Sequence, residues 1–149
     1  MDAPVSGEQL LRLPVRVRGI DVGHAVDLIL DPQRRRVLGF DVLCRDDEHR
    51  FLPLTAAAID GDEIAVSSAL TLLAEDQLAF YRRRASTMRM LRGADVHSGT
   101  RKLGALLDVV VQSDGAISGL VVANGRTRLT IEGDEASQAT VDRRRVSAA

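Results

Sequence analysis

The architecture of this chain follows from one segment, Gly23-His24-Ala25-Val26-Asp27-Leu28-Ile29-Leu30, which recurs as Gly104-Ala105-Leu106-Leu107-Asp108-Val109-Val110-Val111. In both segments a glycine precedes an aspartate by four positions, and aliphatic residues surround that aspartate. Internal self-similarity of this kind indicates a repeated structural unit. The sequence therefore predicts two related units in one chain.

Each repeat continues with the same order of turns and aliphatic runs. The runs are residues 37–42 and 50–54 in the first repeat, and 117–122 and 126–131 in the second. Short runs rich in Val, Ile and Leu between turn residues are typical of β-strands. Asp114-Gly115, Asn124-Gly125 and Asp60-Gly61-Asp62 favour tight hairpins, because these residues accept positive φ at low cost.

The segment between the repeats has a different composition. Residues 68–84 contain no Gly or Pro and are dominated by Ala, Leu, Glu, Gln and Arg, which favours a helix. Ser67 and Ser68 are candidate N-cap residues, and the arginines at 82–84 complement the helix dipole at the other end. We predict a connecting helix here and a frayed polar tail after Glu132.

Several of these motifs resemble those of a known family. The first repeat resembles a PRC-barrel domain in four segments: Leu13-Pro14-Val15, the Gly23–Asp27 element, the run around Gly39, and Phe51-Leu52-Pro53-Leu54. That family is named for the photosynthetic reaction-centre H subunit. It also contains the C-terminal domain of a ribosome maturation factor and stand-alone bacterial proteins.

The resemblance covers the two repeats unequally. Residues 10–67 match well, whereas residues 88–142 keep the Gly104–Asp108 and Gly119 elements and have Arg128-Leu129-Thr130-Ile131 in place of Leu-Pro-Leu. It implies a mainly β fold with two small PRC-type β-barrels in tandem, joined by an α-helix. The expected divisions are a first barrel at 1–67, the helix at 68–86, a second, divergent barrel at 87–142 and a tail at 143–149.

Composition narrows the classes of function. The formal net charge is −1 and aromatic residues are 3% of the chain, which does not favour direct binding of nucleic acid. Cys44 is the only cysteine, so an intrachain disulfide is excluded and a cytoplasmic location is expected. We expect no secretion signal and no transmembrane segment, since no apolar run is long enough.

The candidate chemical groups form no recognised catalytic motif. Asp27 and Asp108 could serve acid–base chemistry or bind a cation. Alternatively, each bonds backbone groups at a barrel rim or faces solvent on the alternating side of a strand, and we predict one of these structural roles. No nucleophile elbow, phosphate loop or dinucleotide motif is present. Cys44 could be a nucleophile, but no base lies near it in the sequence, and we predict a buried, inert cysteine. His24, His49 and His97 could bind a metal, but their spacing matches no ligand motif, and we predict surface or turn histidines. Residues 46–49 lack the ligand spacing of a calcium loop, and we predict a solvated hairpin tip. We therefore predict no enzymatic activity, no metal and no cofactor.

Arginine triplets are the strongest candidates for contact with a partner. They occur at Arg34-Arg35-Arg36, Arg82-Arg83-Arg84 and Arg143-Arg144-Arg145, and each is either solvated or placed against an acidic or phosphorylated group. Because arginine is enriched at interfaces, we predict that the first two triplets bind a partner.

These observations favour a non-catalytic protein-interaction or assembly module, which includes self-association. The family resemblance leaves one alternative open, a ribosome- or RNA-associated maturation factor. Fold alone does not decide between them.

Overall fold

The computed structural model describes residues 4–31, 33 and 35–142. The first repeat contains β1 (Val5–Ser6), α1 (Gly7–Leu10), β2 (Pro14–Val17), β3 (Ile20–Asp31), β4 (Arg36–Cys44), β5 (His49–Pro53), a 3-10 turn (Leu54–Ala56), β6 (Ala57–Asp60) and β7 (Glu63–Val66). The connecting segment holds a 3-10 turn (Ala69–Thr71) and α2 (Glu75–Arg84). The second repeat contains β8 (Ser86–Thr87), α3 (Met88–Leu91), β9 (Asp95–Ser98), β10 (Arg101–Val111), β11 (Ile117–Asn124), β12 (Thr127–Glu132), α4 (Gly133–Gln138) and β13 (Thr140–Val141).

The predicted mainly β fold is confirmed, and its sheets are curled in the manner of a half-barrel. One sheet has the order β5-β4-β3-β2-β7-β6, and the other has the order β12-β11-β10-β9-β13. The hairpins predicted at Gly61 and Gly125 are both present, and both glycines have positive φ. In each repeat the long hairpin, β3–β4 or β10–β11, forms the centre of its sheet.

The two repeats exchange their first strands. β1 of the first repeat pairs with β10 of the second, with Val5 opposite Val111. β8 of the second repeat pairs with β3 of the first, with Ser86 opposite Leu30. Each sheet is thus completed by a short strand from the other repeat.

The buried core also runs through both repeats. One cluster of buried aliphatic residues joins Leu28 and Val37 of the first repeat to Leu106 and Val109 of the second. A smaller cluster lies beneath α2 and includes Phe51 and its neighbours. The exchanged strands therefore belong to a continuous core rather than to two separate ones.

The predicted connecting helix is shorter than expected, since it begins at Glu75 and not at Ser68. Ser68 caps a single 3-10 turn, where its hydroxyl accepts the N–H of Leu70. Leu73 is then held extended, because its backbone exchanges two hydrogen bonds of 2.8 and 2.9 Å with Phe51. Pairing with the edge of β5 overrides the helix propensity of this stretch.

The prediction of a frayed segment directly after Glu132 is wrong. α4 buries Ala136, and β13 pairs with β9 through Val141 opposite Val96. Small alanine side chains let this polar segment pack closely, which a reading based on polarity alone does not reveal. The tail at 143–149 lies outside the described residues.

No helix in the described ranges combines the length and the apolar character needed to cross a bilayer.

Candidate interaction surface

Asp27 and Asp108 hold the exchanged segments in place. The Asp108 carboxylate accepts hydrogen bonds from the backbone N–H of Glu8 in α1, at 3.1 Å, and from that of the adjacent Val109, at 2.8 Å. The Asp27 carboxylate accepts the N–H of Arg89 in α3 at 3.1 Å and that of Leu28 at 2.9 Å. Of the two structural roles predicted for this pair, the bonding of backbone groups is observed and exposure to solvent is not, since both side chains are buried. Each aspartate caps a short helix of the other repeat.

The two short helices that these aspartates cap, α1 and α3, were not predicted from the sequence. Ser6 and Thr87 are the N-cap residues of α1 and α3, and they have the same separation in the chain as Asp27 and Asp108. Ser6 and Gln9 form a capping box, which is a recognisable helix-start signal. Extending the repeat toward the N-terminus by this signal would have located both exchanged segments.

Burial raises the pKa of Asp27, although hydrogen bonds from the backbone of Arg89 and Leu28 act in the opposite direction. Desolvation disfavours the ionised carboxylate, because charge is poorly solvated away from water. The proton of Asp27 is therefore bound more tightly in the folded chain than in the unfolded one.

Replacement of Asp27 by asparagine should change how stability depends on pH. The contribution of protonated Asp27 is complete below the ordinary pKa of 3.8, and it is lost as the pH rises through the raised value. The variant Asp27→Asn lacks this term, so its stability relative to the parent should improve as the pH rises from about 3 to about 7. Urea unfolding at a series of pH values measures this difference. Asp62→Asn, at an exposed hairpin turn, controls for the loss of one charge, and parallel profiles for the two variants would contradict the explanation.

The remaining predicted candidates make local contacts. His24 is exposed on β3, and His97 Nδ1 lies 3.3 Å from Asp142 Oδ2. Cys44 is buried, as predicted, with its thiol near the carbonyl of Val42. Within residues 4–31, 33 and 35–142, no three His, Cys, Asp or Glu side chains cluster as metal ligands would.

The predicted exposed tip between β4 and β5 carries one ordered ion pair. Both guanidinium nitrogens of Arg50 donate to Asp46, at 2.7 and 3.0 Å. This contact lowers the pKa of Asp46 to about 2. Such an exposed pair orders the hairpin tip and contributes little to stability.

A small apolar cavity lies where the two repeats meet. Its volume is about 60 Å³, and Leu30, Leu106 and Ile117 are among the residues that line it. Organic ligands usually occupy roughly 300–1,000 Å³, so this space is a packing gap of the core.

The outer face of the first sheet is covered by α2. Leu78 is fully buried there, and the ring of Tyr81 stacks on Phe51 with centroids 4.2 Å apart. Beneath the helix, the buried carboxylate of Asp41 pairs with Arg82, and it also binds His49 Nδ1 at 2.8 Å. A polar cluster and an apolar cluster together fix the connecting helix on this face.

The equivalent face of the second sheet has no such cover among the described residues. Val110 and Val121 are only half-buried, whereas the equivalent Ile29 and Asp41 are buried. Thr130 stands where Phe51 stands in the first repeat, and it is exposed. We call this surface the open face; it consists of Val110, Val121, Arg128 and Thr130.

The strand at the side of the open face is also unpaired on one edge. β12 pairs with β11 from Asn124–Thr127 to Gly119–Glu132, and its other edge meets no described strand. In the first repeat the same edge is closed by Leu73. Unpaired strand edges are templates for the addition of another strand.

Arg35 and Arg36 of the first triplet contact the second repeat. Arg34 lies outside the described residues. Arg35 donates to the carbonyl of Ala136 at 2.6 Å, and burial lowers the pKa of its guanidinium. Arg36 donates to the carbonyl of Asp114, also at 2.6 Å. Arg35 thus joins the start of β4 to α4, and Arg36 joins it to the turn between β10 and β11.

The arginines of the second triplet end α2 in different surroundings. Arg82 pairs with Asp41, Arg83 is exposed, and Arg84 lies over the ring of Phe80 at 4.6 Å. Arg83 and Arg84 therefore lie at the surface, where a partner can contact them, whereas Arg82 is already paired with Asp41 of the same chain. The third triplet, 143–145, falls outside the described residues.

Comparison of the sequence with protein-family models and with curated proteins finds no match. The resemblance to the PRC-barrel family therefore stays a prediction from the residues quoted above.

Proposed function

We propose that this chain is a non-catalytic protein-interaction or assembly module of PRC-barrel type, built from two small barrels in tandem. Its binding surface is the open face together with the free edge of β12. The arginines 83–84 lie at the end of α2 and are accessory contacts on the opposite repeat.

The difference between the two outer faces carries this proposal. Both repeats have the same strand order around their long hairpins, yet α2 and Leu73 cover only the first. In the second repeat, Thr130 replaces the buried Phe51 and Val121 replaces Asp41. A half-apolar sheet face beside an unpaired edge offers both side-chain contact and backbone hydrogen bonds to a protein partner.

A charge placed on this surface should remove the partner. In Thr130→Arg, a bulky cation occupies the centre of the binding edge, and we expect recovery of the bound protein to fall about tenfold or more, equivalent to ~1.4 kcal/mol. The measurement is capture of the tagged full-length chain from a lysate of its source, followed by mass spectrometry. Thr100→Arg, at the exposed turn between β9 and β10, introduces the same side chain elsewhere and should leave recovery unchanged.

Nuclease treatment separates this function from the alternative. A protein partner that persists through nuclease and is lost only in Thr130→Arg supports the assembly module. Ribosomal proteins that are lost on nuclease treatment would instead favour the ribosome- or RNA-associated factor. Equal recovery with both variants would exclude the open face as the binding surface.

A further inference from the structure

We infer that the free edge of β12 pairs with the same edge of a second chain, forming an antiparallel homodimer. The inference rests on the proposed function, because it names the partner of the surface described there. It also specifies a register, which follows from the direction of the backbone groups and from the order of charges along β12.

The backbone groups that face the free edge belong to alternate residues. Asn124 and Thr127 flank the two-residue turn of the β11–β12 hairpin, so the hydrogen-bonded pairs that follow include Val122 with Leu129. The residues between those pairs, Arg128 and Thr130, therefore direct their N–H and C=O groups outward. Glu132 follows in the same phase.

The first repeat confirms this phase independently. Phe51, which is equivalent to Thr130, sends its N–H and C=O groups away from β4 and binds the backbone of Leu73. The N–H and C=O groups of Thr130 therefore occupy the positions from which Phe51 binds Leu73. One added strand can accept and donate the corresponding hydrogen bonds.

The sequence of β12 is complementary to itself in one antiparallel register. With Thr130 opposite Thr130 of the partner subunit, Arg128 lies opposite Glu132 of the partner subunit, and this ion pair forms twice. Threonine pairs and pairs of opposite charge are both favourable across neighbouring strands. All three positions are exposed in the single chain.

The other face of the paired strands adds an apolar contact in the same register. Leu129, which is 45% exposed in the single chain, lies opposite Ile131 of the partner subunit, a core position that is only 6% exposed, so most of the newly buried apolar area is that of Leu129. Non-hydrogen-bonded pairs bring side chains closest together. The dimer therefore covers the large hydrophobic residue that β12 leaves exposed.

Displaced registers are less favourable. A shift centred on Arg128 would place this cation opposite its own copy, and a shift centred on Glu132 would oppose two carboxylates. Like charges directly opposite one another are destabilising. Charges that protect an edge against indiscriminate pairing here disfavour these two registers relative to the one centred on Thr130.

Charge reversal tests the dimer and its register. Purified full-length protein is studied by sedimentation velocity over a concentration series, because an edge interface of this size is weak. We expect concentration-dependent dimers for the parent chain and at least tenfold weaker association for Arg128→Glu and for Glu132→Arg. The double variant carries the same pair in reverse order and should restore the dimer.

Three outcomes would overturn the inference. These are a monomer at every concentration, identical association of all four proteins, and a dimer that appears only after deletion of residues 143–149, which would place that tail on the edge. Circular dichroism of each variant checks that it is folded. A monomer whose capture of another protein is lost in Thr130→Arg would contradict the dimer and leave the proposed function intact, whereas absence of both would contradict the two together.

Discussion

Replacement of Asp108 by alanine is expected to reduce the free energy of unfolding by about 2–4 kcal/mol, since hydrogen bonds to charged groups contribute roughly 1.5–3 kcal/mol each. The change removes the acceptor of the Glu8 and Val109 N–H groups, and it releases the start of α1 from β10. Loss of a helix cap alone costs about 0.5–2 kcal/mol. Asp27→Ala should have a similar effect, because Asp27 caps α3 in the same way.

Chemical denaturation monitored by circular dichroism measures these losses. Asp62→Ala, in the exposed turn between β6 and β7, is the matched control and should stay within about 0.5 kcal/mol of the parent. Asp108→Asn keeps one acceptor oxygen and should fall between the two. If Asp108→Ala were as stable as the control, the capping of the exchanged helix would not be what holds the repeats together.

Replacement of either repeated glycine by alanine is the second change with a large expected effect. A Cβ at Gly23 would meet the carbonyl oxygen of Leu43 and would lie 2.9 Å from the Cα of Cys44. At Gly104 it would meet the carbonyl group of Ala123, with the carbon at 2.9 Å. These neighbours are backbone atoms of the paired strand and cannot rotate away, so we expect a loss of about 3 kcal/mol or more.

Gly23 (φ +157) and Gly104 (φ +148) also have positive φ, and a third such glycine, Gly99, lacks the close approach. Gly99 has φ +62, and a Cβ there would meet nothing within 4 Å. Gly99→Ala should therefore lower the free energy of unfolding only by the strain of placing alanine in the left-handed conformation, about 1 kcal/mol. Thermal unfolding of the three variants gives the comparison. Equal losses at Gly23, Gly104 and Gly99 would mean that the contact across the strands is not the reason for the repeated glycine.

The strands and hairpins were predictable because their sequence signals are local. The strands and hairpins follow from aliphatic alternation and from turn residues such as Asn124 and Gly125, which are local signals. The exchange of β1 and β8 was not predictable in this way. Each is only two residues long, and their partners, Val110 and Ile29, are distant in the chain. Pairing between such segments depends on the assembled core and leaves little local pattern.

The candidate surface was predictable to a smaller extent. The arginine triplets were chosen for charge, yet Arg35, Arg36 and Arg82 bind groups within the chain. The contrast between Phe51 and Thr130 was visible as a departure of the second repeat from the first. That this contrast marks an uncovered surface could not be predicted, because it depends on α2 packing on the outer face of the first sheet and not on that of the second.

The exchange of short strands has a consequence for the order of events during synthesis. The N–H of Glu8 and the carboxylate of Asp108 are 100 residues apart, and both caps span the connecting segment. At roughly 5–20 residues per second, translation takes about 5–20 s to supply the second partner. Until then, β1 and α1 have neither their partner strand β10 nor the Asp108 cap. The two exchanges therefore become possible at different times, first that of β8 with β3 and later that of β1 with β10.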